Sequence, residues 1–307
     1  SDVLIENFRV GVLDKLGLGY ADLKAINPRL VYCSISGFGH TGPDRELGIY
    51  DFLIQGRSGL MSITGEPDGP PMKVGVAIAD VAAGLFACSA VLSALFARER
   101  TGVGQHLDIA LYDSQLPVPA NVASNYLCSG EIPGRWGNAH KSIVPYEAFQ
   151  AADDYLILAI GNDEQWQRFC TAAGVATWAQ DARFVTNPQR VAHREALIPL
   201  LNSLLSSKTV AEWLRLCAEA DVPAGPVNTF DKVFADPQTG ARGMLVQMPH
   251  PTLGTVRLAG TPLNLSATPA EMRLPPPLLG EHTDAILSRL LALDDSAIAE
   301  LHRAGVV

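Results

Sequence analysis

Leu30-Val31-Tyr32-Cys33-Ser34-Ile35 is the stretch that decides the fold. It is a nearly unbroken apolar run of strand length, the pattern of a strand buried on both faces of a parallel sheet. Upstream, residues 3–5 read as another strand, and residues 12–16 and 20–26 carry apolar residues at helical spacing. Asn27-Pro28 stops the second helix. Strand, helix and strand in succession specify an α/β fold with a parallel sheet. Downstream, residues 81–98 form a long helix rich in Ala and Gly, closed by Thr101-Gly102-Val103-Gly104, and residues 106–111 read as a further strand. Residues 81–97 are apolar enough to be borderline for a membrane span, but their small side chains suit a core helix in close packing.

From residue 113 to 133 the pattern is mixed, broken by Pro117 and Pro119, and residues 134–145 read as loop. A new unit begins with a strand at 155–160, followed by helices near 163–173, 194–205 and 210–220. Pro223, Pro226 and the Gly- and Pro-rich stretch after Asp236 read as a return linker, and the tail from Leu279 is helical again. The expected organisation is a first domain over 1–125, a linker and small domain over 126–225, and a return linker with a C-terminal segment over 226–307. Because the chain enters its first strand at residue 3, an N-terminal portion of the domain is expected to be missing.

Lys and Arg number 23 against 32 Asp and Glu, a net charge of −9, which argues against a general nucleic-acid binder. The five cysteines are scattered without a C-x-x-C, as buried thiols in a reducing compartment would be. The histidines are never three or four apart, so no local metal pair is visible and no metal is expected. Ser1-Asp2-Val3-Leu4-Ile5 lacks the pattern of a signal peptide. The expected setting is therefore cytoplasmic, or an organelle matrix, with no membrane partner.

Gly37, Gly39 and Gly42 match G-x-G-x-x-G after a strand, but Pro43 and Gly48 interrupt the helix that a dinucleotide site requires. The loop can still line a ligand cleft at the carboxyl end of its strand. Asp80 directly precedes the helix at Val81 and reads as an N-cap. The same position suits a nucleophile, because a helix N-terminus favours an ionised carboxylate and offers amides to an oxyanion. Asp113, between strand and helix, is read first as a cap, and His140 as a loop residue facing solvent.

Ile5-Glu6-Asn7-Phe8, Lys15-Leu16-Gly17-Leu18-Gly19-Tyr20, Asn27-Pro28-Arg29-Leu30, Ser36-Gly37-Phe38-Gly39, Tyr50-Asp51, Gly69-Pro70-Pro71, residues 77–84, Thr101-Gly102-Val103-Gly104-Gln105 and Pro277-Leu278-Leu279-Gly280-Glu281-His282-Thr283 follow one another in order. Together they resemble the family III (CaiB/BaiF) CoA-transferases from residue 2 to residue 307. The resemblance implies a Rossmann-like large domain built from both chain ends, a smaller α+β domain, and an interlocked homodimer. It also implies transfer through an aspartyl anhydride and an aspartyl-CoA thioester, with CoA and acyl-CoA as substrates and no permanent cofactor. The family's nucleophile falls on Asp80, and its CoA-contacting positions on Asn7, Phe8, Val12, Lys15, Tyr50 and Leu111. Lys15 stands where the formyl-CoA enzyme has Arg, keeping the charge but not the bidentate fork.

Two departures narrow the substrate. Gly134-Arg135-Trp136-Gly137-Asn138-Ala139-His140 replaces the run of glycines of the formyl-CoA enzyme, and Tyr50 replaces the catalytic His of the racemase branch. A phenol is a poor base at neutral pH, so α-methylacyl-CoA racemisation is the alternative reading, with non-catalytic CoA binding a third. The segments RWGNAHKSIVPYEAF, GNDEQW and HPTLG resemble the dicarboxylate branch, typified by the succinyl-CoA:glutarate enzyme. A short dicarboxylic acid is the expected acceptor. Arg135, Asn138, His140 and Lys141 are the residues expected to hold it.

Overall fold

A computed structural model describes residues 1–307. Strand β1 (Val3–Glu6) is followed by two short helices, α1 (Val12–Lys15) and α2 (Tyr20–Ile26), and by β2 (Val31–Ser36). Helices α3 (Asp51–Arg57), α4 (Leu60–Ile63) and the long α5 (Ile78–Thr101) then lead to β3 (His106–Ala110). The three strands form one parallel sheet with β2 in the centre, where Val31, Tyr32, Cys33 and Ser34 are all buried. The central strand is apolar because both its faces are covered.

Helix α5 packs on β2 and β3 through small residues. Ala79, Ala83, Ala87, Ala94 and Arg98 recur at helical spacing and are buried, so the helix axis can lie close to the sheet. The opposite stripe behaves differently: Val81, Leu85, Leu92 and Phe96 are each more than half exposed. The expectation of a core helix packed closely through small residues holds for one face only. One face is buried, and the other presents large apolar side chains to the outside of this chain. The helix is long and apolar enough to cross a membrane, with 28% of its most apolar window buried.

After α6 (Leu111–Gln115) and α7 (Asn121–Ser129), a second core forms around the antiparallel sheet β4 (Tyr146–Gln150), β5 (Tyr155–Ala159) and β6 (Ala224–Pro226). Helices α8 (Asp163–Ala172), α9 (Asn187–Ala192), α10 (Arg194–Leu205) and α11 (Val210–Glu219) complete it. Trp166, Phe169, Leu197, Leu201 and Trp213 sit fully buried at its centre. The buried Arg190 donates to the Val144 and Phe184 carbonyls and pairs with Asp163 at 2.9 Å, tying the entry of β4 to two helices.

The chain separates into two compact units, 1–226 and 227–307. The second holds α12 (Phe230–Ala235), α13 (Pro237–Ala241), the hairpin β7 (Leu245–His250) and β8 (Gly254–Ala259), and helices α14 (Thr283–Leu291) and α15 (Asp295–Arg303). This hairpin lies where the sequence reading placed a return linker, and strand β4 and helix α9 lie in stretches that it left unassigned.

Candidate active site

Helix α5 begins at Ile78 and has no cap within its own segment. The cap comes from the start of α3, where Asp51 Oδ1 accepts from the Ala79 amide at 2.8 Å. Asp51 Oδ2 accepts from Gln55 Nε2 at 2.7 Å. Gln55 is fully buried, donates to the Val76 carbonyl and accepts from the Val74 amide, so it holds the segment that leads into the helix. Asp80 is thus not the N-cap that the sequence suggested but the third residue of the helix. The amides of Ile78 and Val81 are likewise engaged, by Val76 and Ala77, so the Val81 amide is not free for an oxyanion.

With capping delegated to Asp51, the Asp80 carboxylate forms no hydrogen bond or ion pair within the chain. Its pKa is raised, first by partial loss of solvent against the cleft wall and then by the charge of Asp51. The helix N-terminus acts the other way on an anion.

Asp80 opens onto a cavity of about 410 Å³ that also takes in Asn7, Phe8, Gly37, Tyr50 and Leu111. Asn7 and Phe8, Gly37 and Leu111 follow the ends of β1, β2 and β3, so the cavity lies at the carboxyl edge of the parallel sheet, where α/β folds place ligands. Asn7 is fixed by its amide, which donates to the Ile35 carbonyl at 3.2 Å. Gly37 is required by its surroundings: a Cβ there would stand 2.2 Å from Ile49 Cγ2. Tyr50 is 82% exposed, its ring unobstructed at the mouth of the cavity.

Four of the six expected CoA contacts therefore share the cavity with Asp80. Val12 and Lys15 lie on α1, outside its lining. The loop residues expected to receive an acid are not brought to it either. Arg135 spends its guanidinium on the carbonyls of Glu66, Pro67 and Gly69, clamping that turn. His140 Nδ1 accepts from the Ser142 amide, Lys141 lies 3.9 Å from Glu131, and Asn138 is exposed. Asp113 is the third residue of α6 and not its cap. No cluster of three His, Cys, Asp or Glu side chains is placed to hold a metal. Asp51 and Gln55, which hold the start of α5, and Arg9, in the cavity wall, are site residues that the sequence reading missed. The one available signal was the spacing of Asp51 and Gln55, four apart on a helix.

The profile of CoA-transferase family III matches residues 1–283. A succinate–glutarate CoA-transferase of Agrobacterium fabrum is 45% identical over 97% of this chain and 74% of its own length. The succinyl-CoA:glutarate CoA-transferase of Homo sapiens is 40% identical over all of this chain and 70% of its own. An acetyl-CoA:oxalate CoA-transferase of Acetobacter aceti is 41% identical over 87% and 67%. Among solved structures, a CaiB/BaiF family protein from Brucella suis superposes with a TM-score of 0.86 at 49% identity, covering 94% of this chain and 75% of that one. The mixed α/β fold is the fold of those structures. With a carboxylate-bearing cavity at the edge of its parallel sheet, this chain belongs to CoA-transferase family III and is a CoA-transferase.

Proposed function

We propose that this enzyme moves CoA between short dicarboxylic acids through covalent intermediates on Asp80. The observation that carries the reading is a carboxylate left without a partner in the first turn of α5, inside the cavity at the sheet edge. Asp80 is exposed to the cavity, so its oxygens stay open to a ligand, whereas those of Asp51 are already engaged. A raised pKa also makes the ionised form a stronger base and a better nucleophile.

In the proposed sequence, an Asp80 oxygen attacks the thioester carbonyl of the donor acyl-CoA and expels CoA thiolate, giving an aspartyl anhydride. The thiolate then attacks the aspartyl carbonyl, releasing the donor acid as its carboxylate and leaving an aspartyl-CoA thioester. An acceptor carboxylate attacks that thioester, forming a second anhydride and again freeing thiolate. Attack of thiolate on the acceptor's acyl carbon yields the new acyl-CoA and restores Asp80. No water is consumed. Asn7, Phe8, Tyr50 and Leu111 bound the CoA end of the cavity in this reading. Val12 and Lys15 enter it on resemblance alone. The dicarboxylate preference is supported by the substrates named for the relatives.

The same reading includes a homodimer, supported by the outward stripe of Val81, Leu85, Leu92 and Phe96, which a soluble monomer would expose to water. The test of the chemistry is to incubate full-length protein with succinyl-CoA, trap with hydroxylamine or borohydride, and locate the modified residue by mass spectrometry. Modification at Asp80, lost together with turnover in Asp80→Asn while CoA binding persists, is expected. Wild-type turnover in Asp80→Asn would overturn the assignment. Equal kcat/KM for glutarate and butyrate as acceptors would remove the dicarboxylate part alone.

A further inference from the structure

Gln55 lies on α3 one turn after Asp51, on the same face of the helix. Buried amides are uncommon, and this one is fully buried with its bonding capacity nearly filled. Nε2 divides its two hydrogens between Asp51 Oδ2 at 2.7 Å and the Val76 carbonyl at 3.2 Å. Oε1 accepts from the Val74 amide at 2.9 Å. These partners fix the orientation: turning the amide over would set its oxygen against a carboxylate and a carbonyl, and its NH2 against an N–H.

One side chain thus grips two features that meet at the nucleophile. Through Asp51 it holds the group that caps Ala79, the residue before Asp80. Through Val74 and Val76 it holds the backbone that enters α5 at Ile78. Gln55 itself is not in the wall of the Asp80 cavity, although Asp51 is. Without that donor, Asp51 Oδ2 has no partner, and the carboxylate is free to leave the Ala79 amide for the cavity it borders.

We propose that Gln55 is a positioning residue of this active site: it locks the Asp51 cap and the 74–76 segment together, so that the Asp80 carboxylate stands at one fixed point of the cavity wall. Because Gln55 touches no substrate, its contribution belongs to the chemical steps and not to the binding of CoA. Carboxylate attack is sensitive to such placement, since an error of about 1 Å in a reacting group costs on the order of a hundredfold in rate. The inference rests on Asp80 as the nucleophile and adds to that reading the residue that aims it.

The experiment measures kcat and KM for succinyl-CoA, with glutarate as acceptor, in full-length wild type, Gln55→Met and Gln55→Glu between about pH 5 and pH 9. Circular dichroism at the assay temperature establishes that each protein is folded at each pH. Gln55→Met keeps the volume but none of the hydrogen bonds, so kcat should fall about tenfold to a hundredfold while KM stays within about threefold. Gln55→Glu keeps the shape, and at low pH the introduced carboxyl and Asp51 share one proton in place of the amide's bond. Losing that proton as pH rises sets two carboxylates against each other. The kcat of this variant should therefore acquire an alkaline limb that wild type lacks, with the fold intact and KM unmoved. A kcat in Gln55→Met within about twofold of wild type overturns the proposal, as does a Gln55→Glu profile parallel to that of wild type. A raised KM with unchanged kcat overturns it as well, because Gln55 would then act in binding. Should Gln55→Met not fold, the profile of Gln55→Glu decides alone. Hydroxylamine trapping keeps the two readings apart. No adduct on Asp80 of wild type removes the nucleophile, whereas an adduct formed there at equal rates in all three proteins removes the role of Gln55.

Discussion

Replacing Asp51 tests whether the nucleophile's helix is held by a residue remote in sequence. In Asp51→Ala, the Ala79 amide loses its acceptor, and because Ala79 is fully buried it cannot turn to water instead. An orphaned buried donor costs about 1–3 kcal/mol, and removing a negative charge from a helix N-terminus about 0.3–1 more. Gln55 Nε2 keeps the Val76 carbonyl, so its loss adds little. The expected destabilisation is about 1–4 kcal/mol, a large fraction of the ~5–15 kcal/mol that holds a typical fold. Asp51→Asn should be milder. Its amide oxygen can still accept from Ala79, although its NH2 then faces the NH2 of Gln55. Both substitutions remove the charge that helps raise the Asp80 pKa, so the acid limb of kcat/KM should move to lower pH. Urea unfolding and pH–rate profiles of full-length protein read the two effects separately. If Asp51→Ala unfolds within about 0.5 kcal/mol of wild type and leaves the acid limb in place, the capping argument fails.

Because the folded-state pKa of Asp80 is raised, its contribution to stability is present below the ordinary carboxylate value and is lost as pH rises through the raised one. Asp80→Asn should therefore unfold at higher urea concentration than wild type at pH 7, with the gap closing towards pH 4 in parallel titrations. Arg190→Met orphans the Val144 and Phe184 carbonyls in the second core, whereas Asp163 keeps the Asn187 amide and some solvent, and each orphaned buried acceptor costs about 1–3 kcal/mol. Its unfolding midpoint should fall accordingly, whereas Arg183→Met, at an exposed pair, should change it little. Burial pushes the Cys170 and Cys217 thiols up to about 12 and about 11, so iodoacetamide at pH 8 should spare both, along with buried Cys33. Cys88 and Cys128 are exposed in this chain, but Cys88 lies on the outward stripe of α5. In a dimer that covers the stripe, Cys88 should react more slowly than Cys128 and catch up in Leu85→Glu. Equal rates in wild type would count against the covered stripe.

What the sequence discloses depends on where each element's cause lies. The helices Tyr20–Ile26 and Arg194–Leu205 are bounded as read, because their punctuation and apolar spacing are local. So is the start of Val210–Glu219, where Thr209 and Glu212 cap each other. Strand Tyr146–Gln150 escapes the reading because Glu147 interrupts its apolar character and its conformation comes from pairing with Tyr155–Ala159. The hairpin at residues 245–259 is masked by Pro249 and Pro251 and is held by its ladder rather than by propensity. At the site, Asp80 was legible as a carboxylate at a helix start. That another acid, Asp51, 28 positions before Ala79, would take over the capping was not. Arg135 reads as a cation whatever it binds, and only the fold shows that three carbonyls of the 66–69 turn occupy it.

The order of strands in the first sheet has a consequence for how the enzyme is made. Ser34 on the central strand meets His106 on the last, 72 positions later, and the whole of α5 lies between them. During synthesis the apolar helix leaves the ribosome before the strand that completes its packing surface exists, and contacts of such long sequence separation form slowly. For that interval Leu85, Leu92 and Phe96 are joined by the Ala stripe as uncovered surface, and the nascent chain presents a binding site for a holdase rather than for CoA. Yield of soluble enzyme should therefore track translation speed and chaperone supply more closely than equilibrium stability does.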